Sequence, residues 1–297
     1  MTKLEGTLTA LVTPFKDGQL DVDAYRGFIR TQLEGGVDGL VPVGTTAEAV
    51  TLSDQECEQL IRLAVEAAAG KVPVVAGVGS NDTRKTIENV ARAREAGADA
   101  GLVVTPYYNR PSQAGLLAHF KAIAQAHPGF PLVAYNVPRR TGVDLLPATV
   151  ARLCELPELV AIKEATGDLQ RALELKELCG DRLTLLSGDD ATALPFIACG
   201  GRGVISVASN VAPRAFSDLV RAALAGDLAR ALELQLRLSP LHRALCVEVN
   251  PVPAKWALAR MGLMGGELRL PLVELSEAHR PQVQAALEGL GLLRAAA

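Results

Sequence analysis

Residues 159–165 read L-V-A-I-K-E-A, a short, partly β-branched apolar run that contains one lysine, Lys163. An apolar run of this length, followed by a helical pattern, is typical of a buried strand in a parallel sheet. Because strand side chains alternate between two faces, Lys163 is predicted to share a face with Ala161 and Ala165, which are small enough to leave space beside it. The other face is predicted to carry Val160, Ile162 and Glu164.

Similar apolar runs alternate with amphipathic stretches nearly to residue 225. The predicted strands are Thr7–Pro14, Gly39–Gly44, Val72–Gly79, Gly101–Pro106, Leu132–Val137, Val160–Ala165, Leu183–Gly188 and Gly203–Ala208. The helical patterns between them include Asp54–Ala69, Thr83–Ala96, Ser112–His127 and Asp168–Leu178, with helix-capping residues at Ser53, Asp82, Ser112 and Asp168. Eight strands in strict alternation with helices predict an α/β fold, a (β/α)8 TIM barrel.

The remaining 70 or so residues continue without the strand pattern. Three stretches have helical patterns, at Gly226–Ser239, Pro253–Gly262 and Ala278–Leu292. No linker rich in proline, glycine or serine separates them from the barrel. The sequence therefore predicts a catalytic barrel over residues 1–225 and a C-terminal helical extension over residues 226–297, packed on the barrel.

The bulk composition excludes several classes of protein. The chain has 297 residues, 49% of them hydrophobic, and a net charge of -3, with no run of basic residues of the kind that binds nucleic acid. It lacks a signal-like start and any apolar stretch of ~18 residues, so a cytoplasmic protein without a membrane partner is expected. The five widely spaced cysteines are expected to be reduced. The four histidines form no metal-binding motif, so we expect no metal site.

An unpaired ammonium in an apolar strand is costly, and loss of its proton relieves that cost. A lysine whose pKa falls from ~10.4 towards ~7 has its charged form destabilised by roughly 4–5 kcal/mol relative to the amine. The neutral amine is the nucleophile of Schiff-base enzymes. Two other interpretations of Lys163 remain open, an exposed lysine at a strand end and a lysine paired with a nearby acid.

Catalytic groups of TIM barrels lie at the C-terminal ends of the strands. The predicted ends carry a polar set: G-T-T-A-E at 44–48, T-P-Y-Y-N-R-P at 105–111, Tyr135 with N-V-P-R-R-T-G at 136–142, Lys163, and S-G-D-D at 187–190. Tyr135 and Lys163 stand on adjacent strands, so the phenol is predicted to reach the amine. Backbone N–H groups near Thr45 suit a small carboxylate.

Each of these residues also has a structural interpretation. The glycine and two threonines at 44–46 could cap a helix, the tyrosine pair at 107 and 108 could lie in an interface, and Tyr135 could be a core residue. Arg139 and Arg140 could be solvated loop charges. Asp189 and Asp190 are predicted to cap the following helix, and Lys255 is interpreted as structural.

Five motifs together resemble the dihydrodipicolinate synthase (4-hydroxy-tetrahydrodipicolinate synthase) family. This family belongs to the pyruvate-dependent class I aldolase superfamily, which includes N-acetylneuraminate lyase. The motifs are G-T-T-x-E, T-P-Y-Y-N-R-P-S, Y-N-V-P-x-R-T-G, I-K-E-A-T-G and L-S-G-D-D, and the resemblance runs from Thr9 to Leu268. It implies condensation of pyruvate with L-aspartate 4-semialdehyde, the first committed step of diaminopimelate and lysine biosynthesis.

The resemblance implies catalytic roles for four residues. Lys163 would form an imine with pyruvate, and Tyr135 would act as general acid and base. Thr46 would connect Tyr135 by hydrogen bonds to Tyr108, which reaches in from a neighbouring subunit. No redox cofactor and no metal would be needed.

It also implies a set of substrate-binding residues. Thr45 and Thr46 would hold the pyruvate carboxylate, and Arg140 would bind the carboxylate of the semialdehyde. Gly188 and Ile205 would line the pocket. Two departures from the family pattern concern this set: Ala47 stands where the family has glycine, and Arg139 precedes Arg140. Of these two arginines, we favour Arg140 for carboxylate binding because of its position in the motif.

The resemblance also implies a possible allosteric pocket at a subunit interface, where lysine inhibits some members of the family. The matching positions are Ala49, Cys57, Asn81, Lys85 and Tyr107. Lys85 stands in place of an acid and Cys57 in place of a histidine, so the ammonium of the inhibitor would face a cation. The sequence therefore predicts weak or absent inhibition by lysine.

The resemblance further implies a homotetramer built as a dimer of dimers, with pyruvate and aspartate 4-semialdehyde as small-molecule substrates. Two alternatives remain. Another pyruvate-dependent aldolase or lyase, acting on a 2-keto-3-deoxy sugar acid or N-acetylneuraminate, would keep Lys163 and Tyr135 without needing Arg140. A non-catalytic barrel would explain the fold but not the polar set at its mouth.

Overall fold

The computed structural model describes residues 4–293 and contains the predicted barrel. Its strands are β1 (Gly6–Ala10), β2 (Gly39–Val41), β3 (Val75–Gly77), β4 (Ala100–Val104), β5 (Leu132–Asn136), β6 (Leu159–Glu164), β7 (Thr184–Ser187) and β8 (Gly203–Ser206). Each strand pairs in parallel with its neighbours from β3 round to β2. A bridge between Leu40 and Val74 joins β2 to β3 and closes the ring. The predicted (β/α)8 TIM barrel is confirmed.

Helices follow the strands on the outside of the barrel. They are α1 (Val22–Glu34), α2 (Asp54–Ala68), α3 (Thr83–Glu95), α4 (Gln113–Ala126), α5 (Pro138–Thr141), α6 (Pro147–Leu153), α7 (Leu169–Cys179), α8 (Ala193–Ala198) and α9 (Pro213–Leu224). The four predicted capping side chains, Ser53, Asp82, Ser112 and Asp168, each accept a hydrogen bond from a backbone N–H of the first helical turn. A hairpin of two short strands, Phe15–Lys16 and Gln19–Leu20, follows β1.

Two apolar cores are separated by the barrel wall. The inner core fills the barrel and includes Leu8, Val133, Ala161, Leu186 and Ile205, all buried. The larger outer core lies between the strands and the helices and includes Ile162. Lys163 shares the inward face with Ala161 and Ala165, as predicted.

The predicted outward position of Val160 is wrong. The pairing of β5 with β6 shifts register between Leu132 and Val133, so that Leu132 faces Leu159 while Val133 faces Ala161. One extra residue therefore stands opposite the shift, and Val160 packs against the inner core. The alternation resumes at Ala161, which is why the side of Lys163 is unaffected.

Three helices of the C-terminal extension lie beyond α9. They are α10 (Leu228–Ala244), α11 (Val252–Arg260) and α12 (Arg280–Gly289). α10 packs on α8 and α9, and α12 packs on α10 and α11. The division of the chain at residue 225 into barrel and extension stays a prediction.

α10 continues five residues past its predicted end at Ser239. Pro240 lies inside the helix, where it removes one backbone hydrogen bond. Leu241 and Ala244 beyond it are fully buried, and their burial offsets that loss. Within residues 4–293, no helix has the length and apolar character needed to cross a bilayer.

Candidate active site

Lys163 and Tyr135 lie side by side at the mouth of the barrel. They are paired in register on β6 and β5, and the Nζ atom of Lys163 lies 4.3 Å from the centre of the tyrosine ring. Only 6% of Lys163 and 7% of Tyr135 are exposed. The phenol is therefore within reach of the amine, as the strand order predicted.

The ammonium of Lys163 makes no ion pair with any of residues 4–293. Burial lowers its pKa from 10.5 to about 8, helped by the positive charge of Arg140 and opposed by the carboxylate of Asp190. Neither an exposed nor an ion-paired lysine fits these observations. At a pKa of about 8, roughly a tenth of the amine is neutral at pH 7.

Gly188, which follows β7, leaves the space that Lys163 occupies. A Cβ atom at this position would lie 2.9 Å from Cε of Lys163 and 2.6 Å from Cβ of Ala165. Both distances are shorter than van der Waals contact. Gly188 thus leaves the space that the Lys163 side chain needs. Ile205, the other predicted pocket residue, is fully buried and belongs to the inner core.

The loop after β2 brings two threonines to the mouth in a 3-10 turn, Thr45–Ala47. Thr45 lies close enough to the phenol of Tyr135 to oppose the rise of its pKa. The hydroxyl of Thr46 accepts a hydrogen bond of 2.9 Å from Nδ2 of Asn250. The connection from Tyr135 through Thr46 to Tyr108 stays a prediction, because it involves a neighbouring subunit.

The departure at Ala47 has a simple structural explanation. Ala47 is buried, but its φ is not positive; the positive φ of 58° belongs to the next residue, Glu48. A side chain at position 47 therefore causes no backbone strain, and glycine is not required there.

Burial raises the pKa of the Tyr135 phenol, while Arg140 and Thr45 oppose this. The phenol consequently holds its proton at neutral pH. Such a group can donate a proton and take it back when a stronger base or acid develops beside it.

Arg140 and Arg139 differ in where they lie. Both belong to the short helix α5 (Pro138–Thr141) and both are exposed, but only Arg140 lines the cavity at the mouth. Its Nη2 atom donates to the backbone oxygen of Asn250 at 3.4 Å. The position of Arg140 on the cavity wall supports the prediction that it, and not Arg139, binds a substrate carboxylate.

A cavity of about 470 Å³ opens at this mouth. One end is lined by Gly44, Thr45, Tyr135, Val137, Arg140 and Thr141. Lys163 is not among the lining residues, and its Nζ atom lies 4.3 Å from the centre of the ring of Tyr135, which is one of them. The cavity thus joins Thr45, the phenol of Tyr135 and the guanidinium of Arg140 in a single space of a size suited to small acids.

The other end of this cavity holds most of the predicted allosteric positions. Ala49, Cys57, Lys85 and Tyr107 line it, and Asn81 does not. Nζ of Lys85 lies 2.7 Å from Asp54, which also pairs with Arg92 at 3.0 Å. The ammonium of Lys85 is thus held in the cavity by the Asp54 carboxylate, which also pairs with Arg92.

Tyr108 lies outside this space. It is 89% exposed, has a positive φ of 72°, and lines no part of the cavity. Among residues 4–293 of one chain, Tyr108 makes no hydrogen bond to Tyr135 or to Lys163. Its predicted role therefore depends on a second subunit.

The prediction that Asp190 caps the next helix is wrong. Oδ2 of Asp190 accepts hydrogen bonds from the backbone N–H groups of Val207 and Ala208, at 3.0 and 2.8 Å. The residue before α8 is Thr192, whose side chain does not cap the helix but donates to Asp189 at 2.7 Å. The Asp190 carboxylate thus binds the backbone of the loop after β8, and the Asp189 carboxylate binds Thr192 in the loop after β7.

Sequence reasoning missed the contacts that the C-terminal extension makes with the threonine loop. Lys255 of α11 is fully buried and forms a 2.7 Å ion pair with Glu48. Glu48 also accepts from the backbone N–H of Arg269 at 3.0 Å. The only signal was an asparagine and a lysine in the N-P-V-P-A-K-W stretch, and nothing in the sequence paired them with residues some 200 positions earlier.

Among the described residues, no group of three or more His, Cys, Asp or Glu side chains is arranged to hold a metal ion. The functional groups that the described residues bring to the mouth are an amine with a lowered pKa, a protonated phenol, two hydroxyls and a guanidinium.

Comparison with known proteins agrees with this geometry. The sequence matches the Dihydrodipicolinate synthetase family over residues 3–290. It is 53% identical over 293 residues to the 4-hydroxy-tetrahydrodipicolinate synthase of Anaeromyxobacter dehalogenans, covering 98% of this chain and 99% of the relative. The corresponding values for the enzyme of Maridesulfovibrio salexigens are 50% over 290 residues, 97% and 99%.

Among solved structures, the chloride-inhibited dihydrodipicolinate synthase from Acinetobacter baumannii, in complex with pyruvate, superimposes with a TM-score of 0.96 at 43% identity. The match covers 98% of this chain and all of that one. A monomeric dihydrodipicolinate synthase variant superimposes with a TM-score of 0.94 at 43% identity, covering 97% of each chain. The family model covers nearly the whole chain, and the relatives agree with it in sequence and fold, so the chain belongs to the dihydrodipicolinate synthetase family.

Proposed function

We propose that the chain is a 4-hydroxy-tetrahydrodipicolinate synthase, which condenses pyruvate with L-aspartate 4-semialdehyde through a Schiff base on Lys163. The observation that carries this proposal is a buried lysine with a lowered pKa and no ion pair, 4.3 Å from a buried tyrosine ring. Both closely similar relatives described above carry this enzyme name. A lysine of this kind supplies the neutral amine that the reaction needs.

The proposed sequence begins with attack of the Lys163 nitrogen on the keto carbon of pyruvate. The carbinolamine loses water as the Tyr135 phenol gives its proton to the departing oxygen. The protonated imine draws electrons from the methyl group, which loses a proton to the Tyr135 phenolate to give an enamine and restore the phenol. The enamine carbon bonds to the aldehyde carbon of the second substrate, whose amine then displaces Lys163 as the ring closes.

We assign the two carboxylates to different parts of the mouth. Thr45 and Thr46 hold the pyruvate carboxylate with hydroxyl and backbone donors, next to Tyr135. Arg140 binds the carboxylate of the semialdehyde, since its planar fork presents two parallel donors. Its position on the cavity wall, with none of residues 4–293 as an ion-pair partner, supports this assignment.

The test is turnover of pyruvate with a panel of aldehydes by wild type, Arg140→Ala and Arg139→Ala. We expect Arg140→Ala to lose 10- to 100-fold in kcat/KM for aspartate 4-semialdehyde, because a charge-assisted hydrogen bond contributes about 1.5–3 kcal/mol. Arg139→Ala is the matched control and should lose little. A preference for a sugar-derived aldehyde that survives Arg140→Ala would instead identify another pyruvate-dependent lyase.

We further propose a homotetramer built as a dimer of dimers, in which Tyr108 serves the site of a neighbouring subunit. A tyrosine that is 89% exposed supports a role in an interface. Mixing two inactive variants tests this. Lys163→Met subunits should restore activity to Tyr108→Phe subunits after joint refolding, because each contributes what the other lacks. No recovery in mixed assemblies of verified composition would exclude a role between subunits.

We propose that lysine inhibits this enzyme weakly or not at all. Lys85 brings a cation to the second end of the cavity, where the ammonium of an inhibitor would lie, and Asp54 already pairs with Lys85 and Arg92. Lys85→Glu should introduce or strengthen lysine inhibition. Inhibition of the wild type at submillimolar lysine would contradict the proposal.

A further inference from the structure

The C-terminal extension reaches the active site through one side chain that the proposed mechanism does not use. We propose that Asn250 is a positioning residue, which orients the hydroxyl of Thr46 so that its hydrogen points to the carboxylate of pyruvate. This inference rests on the proposed function and extends it to a residue outside the barrel. It predicts that part of the affinity for pyruvate is set by the extension.

The hydrogen bond between the two residues determines what Thr46 can do. Nδ2 of Asn250 donates to Oγ1 of Thr46 at 2.9 Å. A hydroxyl has one hydrogen to donate and two lone pairs to accept with. When Asn250 occupies a lone pair, the hydrogen of Thr46 stays available for a substrate oxygen.

Thr46 has little freedom to choose another partner. It is 3% exposed and lies in the middle of the Thr45–Ala47 turn. The backbone oxygen of Ala47, the next residue, is occupied by the hydroxyl of Thr13 at 2.9 Å. Asn250 is the one donor to this hydroxyl among residues 4–293, so the direction of the hydroxyl depends on it.

A second contact fixes the extension against the same loop. Lys255, five residues beyond Asn250, forms its buried ion pair with Glu48, two residues beyond Thr46. The backbone N–H of Lys255 is bonded to the oxygen of Pro251 at 2.9 Å, which ties the first turn of α11 to the Asn250 segment. Loop and extension thus meet at two points, and Asn250 is held in register with Thr46.

The Arg140 contact provides an internal control. Arg140 uses the backbone oxygen of Asn250, not its side chain. Replacing the side chain therefore leaves the contact of the semialdehyde-binding arginine in place. A positioning role predicts that pyruvate recognition changes while semialdehyde recognition does not, whereas general collapse of the loop would change both.

The first experiment compares Asn250→Ala and Asn250→Asp. We expect the KM for pyruvate to rise about 3- to 10-fold in Asn250→Ala, the range of one hydrogen bond. In Asn250→Asp it should rise about 10- to 100-fold, because a carboxylate takes the Thr46 hydrogen and repels the substrate. kcat and the KM for aspartate 4-semialdehyde should stay within about twofold in Asn250→Ala.

Glu248→Ala is the matched control. Glu248 accepts a 3.1 Å hydrogen bond from the backbone N–H of Ser276 in the same part of the extension, without contacting Thr46 or Arg140. Its loss should leave both KM values unchanged. Circular dichroism and thermal unfolding of all variants check that each is folded.

The second experiment is a double-mutant cycle. In a Thr46→Val background there is no hydroxyl to orient, so adding Asn250→Ala should not raise the KM for pyruvate further. An equal rise in both backgrounds, or an Asn250→Asp variant with the wild-type KM for pyruvate, would overturn the inference. If the wild type itself forms no pyruvate adduct, the proposed function fails instead, and that measurement is made first.

Discussion

Two buried lysines in this protein differ in one contact. Lys163 and Lys255 are 6% and 0% exposed, and their Nζ atoms lie 4.3 and 4.4 Å from the ring centres of Tyr135 and Phe15. Burial lowers the pKa of both. Lys255, however, has the carboxylate of Glu48 at 2.7 Å.

The comparison shows that burial beside an aromatic ring is insufficient to make a lysine reactive. A carboxylate in contact favours the charged ammonium and accepts one of its hydrogen bonds, which makes Lys255 a structural connection between the barrel and the extension. Lys163 has no such carboxylate among residues 4–293, so its burial favours the neutral amine. The ion pair, present or absent, separates a structural lysine from a nucleophile.

The largest difference is expected when each lysine is replaced by methionine. Lys163→Met should lower kcat/KM by at least about a thousandfold, because the covalent intermediate can no longer form. Its stability to urea at pH 7 should be equal to or above that of wild type, since an unpaired charge has been removed from the core. Substantial turnover by the variant would show that Lys163 is not the nucleophile.

Lys255→Met should act in the opposite way. It leaves Glu48 buried without its partner and should lower the free energy of unfolding by about 3–5 kcal/mol. The double variant Glu48→Gln, Lys255→Met should recover most of this loss, as both charges are gone. Urea denaturation of the single and double variants measures this, and an additive double variant would mean that the pair has no special role.

Steric crowding of Lys163 should have a smaller effect. Gly188→Ala places a methyl group 2.9 Å from Cε of Lys163, and overpacking of this kind costs about 1–3 kcal/mol. The added methyl group displaces the Lys163 side chain from the position in which it attacks pyruvate. We therefore expect the rate of imine formation to fall about 10- to 100-fold. Gly44→Ala, where an added Cβ meets nothing within 4 Å, tests whether a methyl group in a neighbouring loop is harmless.

The smallest effect concerns pH. With a pKa of about 8, the neutral fraction of Lys163 rises about tenfold between pH 7 and pH 9, and the rate of imine formation with pyruvate should rise with it. The same lowered pKa means that the unfolded chain binds more protons than the folded one between about pH 8 and 10.5, so the stability contribution of Lys163 rises with pH across that window. A rate that falls from pH 7 to pH 9 would contradict the assignment.

The barrel and the position of Lys163 beside Tyr135 could be predicted from the sequence because they depend on local patterns. Alternation along the strand put Lys163 on the inner face, and the order of the strands put Tyr135 next to it. The single error in the strand, Val160, came from a register shift set by the partner strand. Such shifts depend on pairing geometry and leave no signature in one strand alone.

The contacts that hold the site could not be predicted in the same way. Thr45 and Thr46 are adjacent in the chain, and only the turn decides that Thr45 lines the cavity while Thr46 contacts Asn250. Asn250 and Lys255 meet the threonine loop across 204 and 207 residues, by packing of the extension on the barrel. Periodicity carries no information about contacts at that separation.

The most direct test of the comparison between the two lysines is reduction of the enzyme with borohydride in the presence of pyruvate, followed by peptide mass mapping. Hydride converts the imine to a stable secondary amine, so the modified lysine retains a reduced pyruvyl group. We predict modification of Lys163 and none of Lys255 in the wild-type enzyme. An unmodified Lys163 in an active enzyme, or an adduct on Lys255 instead, would contradict the account.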